Sequence, residues 1–243
     1  MKYAMSGNAP CDVLLEKMEF FLALLKDDDL EVRHAALQMS NAAVHHQPEL
    51  ISNFLNTHIQ PVLFESVTFK SERVVDLGPF KQKVDDGLPL RKVALTTINT
   101  ILDVMPEYLD VAAFIGPLKD GLADQQDVQM LCHQILVKIC GNRLLVVQGT
   151  ILSHVEELVV PLKNLIEKTL KTISKKIKEG QSGTDVERLN DLMRSRLRSF
   201  LALDGIESIK EGAAISKTYA LLKDLISTNE RLMGLVDAIT SES

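Results

Sequence analysis

A chain of 243 residues is long enough to bury a large core, and 33 acidic against 27 basic side chains give it a net charge of −6 at pH 7. This acidic balance argues against general nucleic-acid binding, which normally needs a basic surface. The sequence contains no run of 18 uninterrupted apolar residues, so it predicts no membrane-spanning helix. Aromatic residues make up 5% of the chain and Trp is absent, a composition that favours packing of helix on helix over a sheet sandwich.

One sequence motif recurs along the chain: an acidic turn, then an apolar residue, then a helix with a face of small residues. It occurs at 27–36, at 85–94 and, in a looser form, at 120–130. The second and third copies are 38 residues apart, a normal period for helical repeats, whereas the first and second are 58 apart. The longer step holds one period plus roughly 20 residues, and insertions in repeat arrays often lie on a binding face.

Apolar residues at helical spacing predict three helices before the insertion. One stripe runs over 14–25, and a second over 30–43 follows the triple aspartate 27–29, which can cap it. A third pattern spans 49–64. Pro61 falls inside it, so we expect this helix to be kinked or shortened.

The insertion has a different pattern, because β-branched and aromatic residues are interleaved with charged ones over 67–84. Gly78-Pro79 is a turn signal between its halves. We therefore predict one β-hairpin inserted near residues 68–85, with arms near 70–77 and 80–84; the alternative is an irregular loop. An isolated two-stranded hairpin is only marginally stable in water, so it needs support from the helices or from a partner.

Helical periodicity resumes at Leu88 and predicts helices over most of the remaining chain. Pro161 is expected to break or kink one of them, and 180–183 predict a loop. Antiparallel helix pairs with this period define an all-α fold, an α-solenoid, and we predict a single domain over 1–243. The predicted helices are 90–101, 110–122, 128–140, 144–151, 154–172, 186–203, 211–226 and 230–239.

The sequence offers little for catalysis. It contains no Gly-x-Ser-x-Gly, Walker-type or dinucleotide-binding loop, so we predict that the chain is not an enzyme and uses no cofactor; a concave pocket of clustered titratable groups would argue otherwise. Cys132, His133 and Cys140 lie among apolar residues, and zinc sites use closer, paired ligands, so we predict core packing and no metal site. His45 and His46 are expected to point in different directions at a helix end.

The cysteines bear on the compartment. The chain has three, an odd and sparse set, and the N-terminus has no apolar signal core. These features indicate a reducing compartment, so the cytoplasm and the nucleus are the expected locations. In the absence of a partner we expect a monomer.

Two charged segments are candidates for protein contact. The insertion places basic and acidic side chains around Val74, Val75, Leu77 and Phe80, and interface hot spots are commonly aromatic or Arg residues; the alternative is a loop folded back onto its own repeat. The second segment is either a solvated helix face or a patch for an acidic partner. It contains Lys163, Lys168, Lys171, Lys175, Lys176 and Lys178, followed by Arg188, Arg194, Arg196 and Arg198.

The run 77–88, followed by Arg91-Lys92, resembles the C-terminal part of the cullin-associated, neddylation-dissociated proteins, also described as TATA-binding-protein-interacting proteins. The resemblance covers essentially the whole chain. It implies a solenoid of HEAT repeats that forms the C-terminal part of a longer architecture, whose N-terminal arch contacts the RING subunit and the neddylation site. Further segments resemble the family in the same order: 21–25, 29–33, 120–122, 129–131 and 158–162.

The resemblance also implies a partner. Family C-terminal repeats grip the N-terminal region of unneddylated cullins, where a projecting hairpin overlaps the adaptor-binding site, so this chain would act in adaptor exchange on cullin–RING ubiquitin ligases. Val74 and Pro89 depart from the family, where these positions are acidic. The alternative is a generic HEAT scaffold for another protein, for example in transcription. The implied contact residues are Lys70, Arg73, Val75, Gly78, Pro79, Phe80, Lys81, Val84 and Asp85.

Overall fold

The computed structural model describes residues 11–76, 78, 80–142, 145–180, 183–206 and 216–242. The chain divides into two compact units, Met1–Pro117 and Leu118–Ser243. Each unit is built from packed helices, and the first carries an antiparallel hairpin. The predicted fold class, all-α HEAT repeats with one inserted β-hairpin, is therefore confirmed. The single domain over 1–243 stays a prediction.

The first unit consists of helices before and after the hairpin. A 3₁₀ turn, Leu24–Lys26, follows the first helix, and another, Pro106–Tyr108, follows the last. The helices are α1 (Cys11–Ala23), α2 (Leu30–His46), α3 (Pro48–Phe54), α4 (Gln60–Thr68) and α5 (Leu88–Val104).

Small residues let α2 and α5 pack closely in the core of the first unit. Ala36 and Ala43 on α2, and Ala94 on α5, are all at least 95% buried. The aspartates before α2 cap it as predicted, since Asp29 Oδ1 accepts a hydrogen bond from Glu31 N at 2.8 Å. Such a cap satisfies a helix N–H that has no partner within the helix.

The helix changes from α-helical to π-helical geometry just before Pro61. A π-helical turn, Leu55–Ile59, separates α3 from α4, so the helix predicted over 49–64 is interrupted just before the proline. Proline lacks the N–H that would continue the ladder, and a π turn is one way to accommodate that loss. Buried Gln60 supports the junction: its Nε2 donates to Tyr108 O at 2.7 Å, and its Oε1 accepts from Asp110 N at 2.9 Å.

The second unit begins inside α6 (Val111–Leu122) and contains the remaining helices. α7 packs on α10, α9 packs on both α10 and α11, and α12 packs on α10 and α11. We expected a break or a kink at Pro161. The helix that contains it is continuous, so there is no break, and the kink stays a prediction. The remaining helices are α7 (Gln126–Gly141), α8 (Leu145–Ser153), α9 (Val155–Lys178), α10 (Gly183–Asp204), α11 (Lys217–Thr228) and α12 (Glu230–Ser241).

One arginine of the predicted basic stretch belongs to the core of the second unit. Arg196 is 4% exposed. Its guanidinium donates to Gln129 Oε1 at 2.9 Å, to Thr169 Oγ1 at 2.5 Å and to Leu165 O at 3.2 Å. Burial lowers the pKa of Arg196 to about 10. Arg196 thus ties α7, α9 and α10 together and is not part of a basic surface.

The cysteine and histidine positions of α7 are core positions, as predicted. Cys132 and Cys140 are buried, and His133 is 1% exposed. His133 Nδ1 shares a hydrogen bond with Ser195 Oγ at 3.0 Å. Burial, together with the positive charge of Arg196, lowers the pKa of His133 to about 3, because both disfavour the charged imidazolium.

We predict that the second unit loses stability on acidification through His133. Its pKa rises from about 3 in the fold to the ordinary value near 6.5 on unfolding, so below pH 6.5 the unfolded state binds the extra proton. The stabilisation is complete above pH 6.5, is lost as the pH falls toward 3, and amounts to about 2 kcal/mol between pH 7 and pH 5. His133→Gln should remove this dependence in urea unfolding followed by circular dichroism.

The control is Ser199→Ala, which removes a buried hydroxyl that donates to His133 O at 3.3 Å and leaves the titrating ring in place. It should lower the free energy of unfolding equally at both pH values. A dependence in His133→Gln as steep as in the unsubstituted chain would contradict the prediction.

Candidate protein-binding hairpin

The insertion forms an antiparallel hairpin of two five-residue strands, β1 (Glu72–Asp76) and β2 (Lys81–Asp85). The register pairs Arg73 with Val84 and Val74 with Lys83. β1 lies within the predicted arm 70–77, and β2 matches the predicted arm 80–84 except that it ends one residue later. The hairpin interpretation is therefore confirmed over the irregular-loop alternative.

Gly78 makes the turn possible. Its φ is +84°, a left-handed conformation that side chains with a Cβ rarely adopt. Asp76 Oδ1 accepts a hydrogen bond from Gly78 N at 3.0 Å, a side-chain turn typical of aspartate. The turn signal in the sequence is therefore a backbone requirement; Leu77 and Pro79 lie outside the described residues.

The hairpin exposes apolar side chains. Phe80, just before β2, is 73% exposed, and Val74 on β1 is 61% exposed. Arg73 and Lys83 on the same hairpin are also exposed. A loop folded back onto its own repeat would bury these apolar groups, so the exposure argues against that alternative. An aromatic ring and a guanidinium on one projecting element are the residue types enriched at interface hot spots.

A buried ion pair holds the base of the hairpin. The Arg91 side chain is fully buried, and its Nη2 donates to Asp85 Oδ2 at 2.6 Å. Asp85 Oδ1 accepts from Ser71 N at 3.2 Å and from Gly87 N at 3.0 Å. The Arg91 hydrogen bond is the main reason that the pKa of Asp85 lies below its ordinary value. One carboxylate therefore joins both ends of the insertion to the first turn of α5.

A second set of contacts fixes the chain where it enters the hairpin. Arg91 Nη1 donates to Phe69 O at 2.8 Å, and the Arg33 guanidinium lies 4.7 Å from the centre of the Phe69 ring. Gly87 permits this approach, because a Cβ at that position would lie 2.8 Å from Phe69 O. Arg33 of α2 and Arg91 of α5 thus both contact Phe69, which lies in the segment between α4 and β1.

The ion pairs on the hairpin itself are exposed. Arg73 Nε lies 2.5 Å from Asp86 Oδ2, with the two side chains 61% and 34% exposed. Lys83 Nζ lies 3.8 Å from Glu72 Oε2. Exposed pairs of this kind contribute little to stability, because water screens the two charges. The orientation of the hairpin therefore depends on the buried Arg91–Asp85 pair.

The comparison with known proteins decides the family. A family described as "TATA-binding protein interacting (TIP20)" matches residues 50–225. The chain belongs to this family. Cullin-associated NEDD8-dissociated protein 1 of Dictyostelium discoideum is 36% identical over 225 residues, covering 91% of the chain and 17% of that protein. The Arabidopsis thaliana protein of the same name is 36% identical over 201 residues, covering 82% and 16%.

A shorter relative is named for one end of such a protein. "Cullin-associated NEDD8-dissociated protein 1, C-terminal part" of Emericella nidulans is 34% identical over 118 residues, covering 48% of the chain and 11% of that protein. The chain spans about a sixth of the length of the first two relatives.

The nine residues implied by the family resemblance occupy different places in the hairpin. Asp85 lies at the base with both carboxylate oxygens engaged, and Val75 and Val84 are half-buried. Pro79 lies outside the described residues. The exposed members are Lys70, Arg73, Gly78, Phe80 and Lys81. The structure therefore brings exposed and anchoring residues onto one element, and their contact with a partner stays a prediction.

Arg91, Phe69 and Gly87 support the hairpin, and sequence reasoning did not assign them to the site. A signal for Arg91 was present: it lies three and seven residues before Ala94 and Ile98, which are buried residues of the same helix. A charged side chain on the buried face of a helix normally has a paired partner.

The basic stretch and the search for metal sites and membrane helices give weaker evidence for a functional site than the hairpin does. Lysines of the basic stretch pair with nearby carboxylates, Lys163 with Glu167 at 2.5 Å and Lys176 with Asp185 at 2.7 Å, which favours a solvated face.

Among the described residues, no cluster of three or more His, Cys, Asp or Glu could hold a metal ion. The helices that the structure describes include none with the length and apolar character to cross a membrane.

We predict that Asp85→Asn destabilises the first unit by about 3 kcal/mol, because it removes the charge that compensates buried Arg91. The matched control is Asp86→Asn, the same change one residue later. Its partner Arg73 is exposed, so the loss should be much smaller than that of Asp85→Asn. Urea unfolding followed by circular dichroism measures both, and equal losses would contradict the buried-anchor interpretation.

Proposed function

We propose that this chain is a non-catalytic binding module whose hairpin contacts the N-terminal region of an unneddylated cullin. The observation that carries the proposal is the hairpin itself: it exposes Phe80 and Val74 and is held by a buried ion pair. Family membership supports the choice of partner, because similar proteins are named as cullin-associated and NEDD8-dissociated.

The buried anchor suits a binding element. Ordering a flexible loop at an interface opposes binding, and a segment already held in its bound conformation avoids much of that loss. Here the Asp85 carboxylate and the Arg91 guanidinium restrain both ends of the insertion before any partner arrives. The exposed ring of Phe80 can then enter a pocket of the partner with little change in the backbone.

The mechanism that we propose is competition between two proteins for one cullin surface. If the hairpin overlaps the binding site of a substrate-receptor adaptor, each protein weakens the binding of the other by the same free energy, since such coupling is reciprocal. The consequence is exchange of adaptors on cullin–RING ubiquitin ligases, without chemistry on a bond. We place this activity in the cytoplasm and nucleus and expect the unbound chain to be a monomer.

Affinity should be lower for this chain than for its longer relatives. The chain covers 17% of the Dictyostelium relative, and additional repeats that contact the same partner would raise affinity through effective concentration. The binding experiment must therefore extend to high micromolar concentrations.

The test is isothermal titration calorimetry with an unneddylated cullin N-terminal domain, with and without a bound adaptor. The informative variant replaces residues 70–84 with a short Gly-Ser loop. Binding that is weakened both by the adaptor and by the replacement is the expected result. Binding that survives both would contradict competition at the hairpin.

We predict that Phe80→Ala weakens cullin binding about tenfold or more, because truncation of a buried aromatic anchor commonly removes over 1 kcal/mol. The control is Val146→Ala, which truncates another apolar residue, 81% exposed, in the second unit. It should change the dissociation constant by less than about twofold. Equal effects in the calorimeter would exclude Phe80 as an anchor.

The second candidate is a HEAT scaffold for a different protein, for example in transcription. The description of the family, TATA-binding protein interacting, favours a TATA-binding protein as the probe. Replacement of residues 70–84 separates the candidates, because it should abolish contact through the hairpin and leave contact through other faces intact.

A further inference from the structure

The hairpin is a two-stranded sheet in the part of the chain that the structure describes, with β1 beside β2. Each strand therefore has one edge that pairs within the hairpin and one open edge that faces away from it. Along an antiparallel strand, the backbone N–H and C=O groups of successive residues point alternately to the two edges. The register decides which residues face the open edge.

A hydrogen bond at the base of the hairpin fixes this alternation. Asp86 N donates to Ser71 O at 2.9 Å, and these two residues form the next pair beyond the last paired residues of the strands. Because hydrogen-bonded and non-hydrogen-bonded pairs alternate, Arg73 and Val75 direct their backbone groups toward β2. The residues whose N–H and C=O groups face the open edge of β1 are Glu72, Val74 and Asp76.

The open edge of β1 is accessible. Glu72, Val74 and Asp76 are all exposed, and among the described residues no other backbone group bonds to Val74 across this edge. Unpaired N–H and C=O groups on an edge strand are a template for one more strand. The open edge of β2 suits this less, because exposed Lys81 and Lys83 lie on it and edge lysines commonly oppose strand addition.

The side chains of β1 define the strand that would fit. Glu72, Val74 and Asp76 share one face of the hairpin, since alternate residues of a strand do so. Residues opposite them in an added strand would lie about 4.5–5.5 Å away, where opposite charges stabilise the pairing and like charges oppose it. The complementary segment therefore has Lys or Arg opposite each carboxylate and a β-branched residue opposite Val74.

A second copy of the chain fits this edge less well. Two β1 strands related by a two-fold axis would run antiparallel. The register that pairs all three open-edge residues then places Glu72 opposite Asp76 of the other copy, twice over. Like charges directly opposite each other are destabilising, so a basic segment of a different protein is the better occupant.

We propose that the open edge of β1 binds an extended, basic segment of a partner protein as a third strand. The inference does not depend on the choice of a cullin as partner, because it uses the backbone of β1 and two carboxylates rather than the ring of Phe80. The buried pair of Asp85 and Arg91 supports it, since a strand already held in place loses less conformational freedom on binding.

The probe is a fluorescein-labelled peptide, Thr-Lys-Thr-Val-Thr-Lys-Thr, titrated with the whole chain and followed by fluorescence anisotropy. Its lysines and its valine have the spacing of the open-edge residues. The matched peptide has Glu in place of both Lys and should bind about tenfold more weakly or less. Added salt should weaken binding of the lysine peptide. Equal binding of the two peptides would contradict the charge complementarity.

Amide hydrogen exchange, measured by NMR with and without the lysine peptide, tests the position of the added strand. Exchange should slow about tenfold or more at Glu72, Val74 and Asp76. It should be unchanged at Arg73 and Val75, whose N–H groups already face β2. Equal slowing along the whole of β1, slowing confined to β2, or no slowing at a saturating concentration of peptide would overturn the inference.

A substitution at the centre of the edge tests the backbone contact. Val74→Pro removes an N–H that faces outward, and proline is tolerated at such edge positions. It should weaken peptide binding about tenfold or more, whereas Val74→Ile, which keeps the N–H and the β-branched shape, should change it by less than about twofold. Equal effects would overturn the inference. A peptide N-methylated at its valine should also fail to bind the unsubstituted chain, which excludes a folding artefact.

Phe80→Ala separates this inference from the proposed function. It should weaken binding of the cullin N-terminal domain and leave peptide binding within about twofold. If the peptide does not bind and cullin binding still needs the hairpin, the edge inference is overturned and the proposed function stands. If the peptide binds with alternating protection of β1 and the cullin does not bind, the edge inference is supported and the proposed function falls.

Discussion

The buried pair of Arg91 and Asp85 is the contact on which the position of the hairpin depends. A two-stranded hairpin is marginal by itself, and the exposed ion pairs along its strands add little. Asp85 accepts hydrogen bonds from one guanidinium and two backbone N–H groups, while Arg91 also donates to Phe69 O. Because both ends of the insertion meet at these two side chains, the strands leave the helices in a defined direction.

The two units handle a buried arginine in different ways. Arg91 faces a carboxylate, which is held below its ordinary pKa, whereas the bonds of Arg196 go to a carbonyl, a hydroxyl and a side-chain amide. Neutral acceptors compensate burial less completely, which is why the pKa of Arg196 falls. The first arrangement positions a projecting element, and the second joins three helices of a core.

The binding proposals divide the hairpin residues by role. Phe80 and Val74 project and can contact a partner, while Asp85 acts by holding the strands in place.

The sequence by itself determined what short-range patterns encode. Helical spacing located the helices, the aspartates before Leu30 marked a cap, and Gly78 between alternating strands marked the hairpin, because each of these signals depends on residues a few positions apart. Only the tertiary structure decided that Arg91 and Arg196 are buried and that Pro61 follows a π turn. These outcomes depend on which helices pack together, and packing joins residues that are distant in the chain.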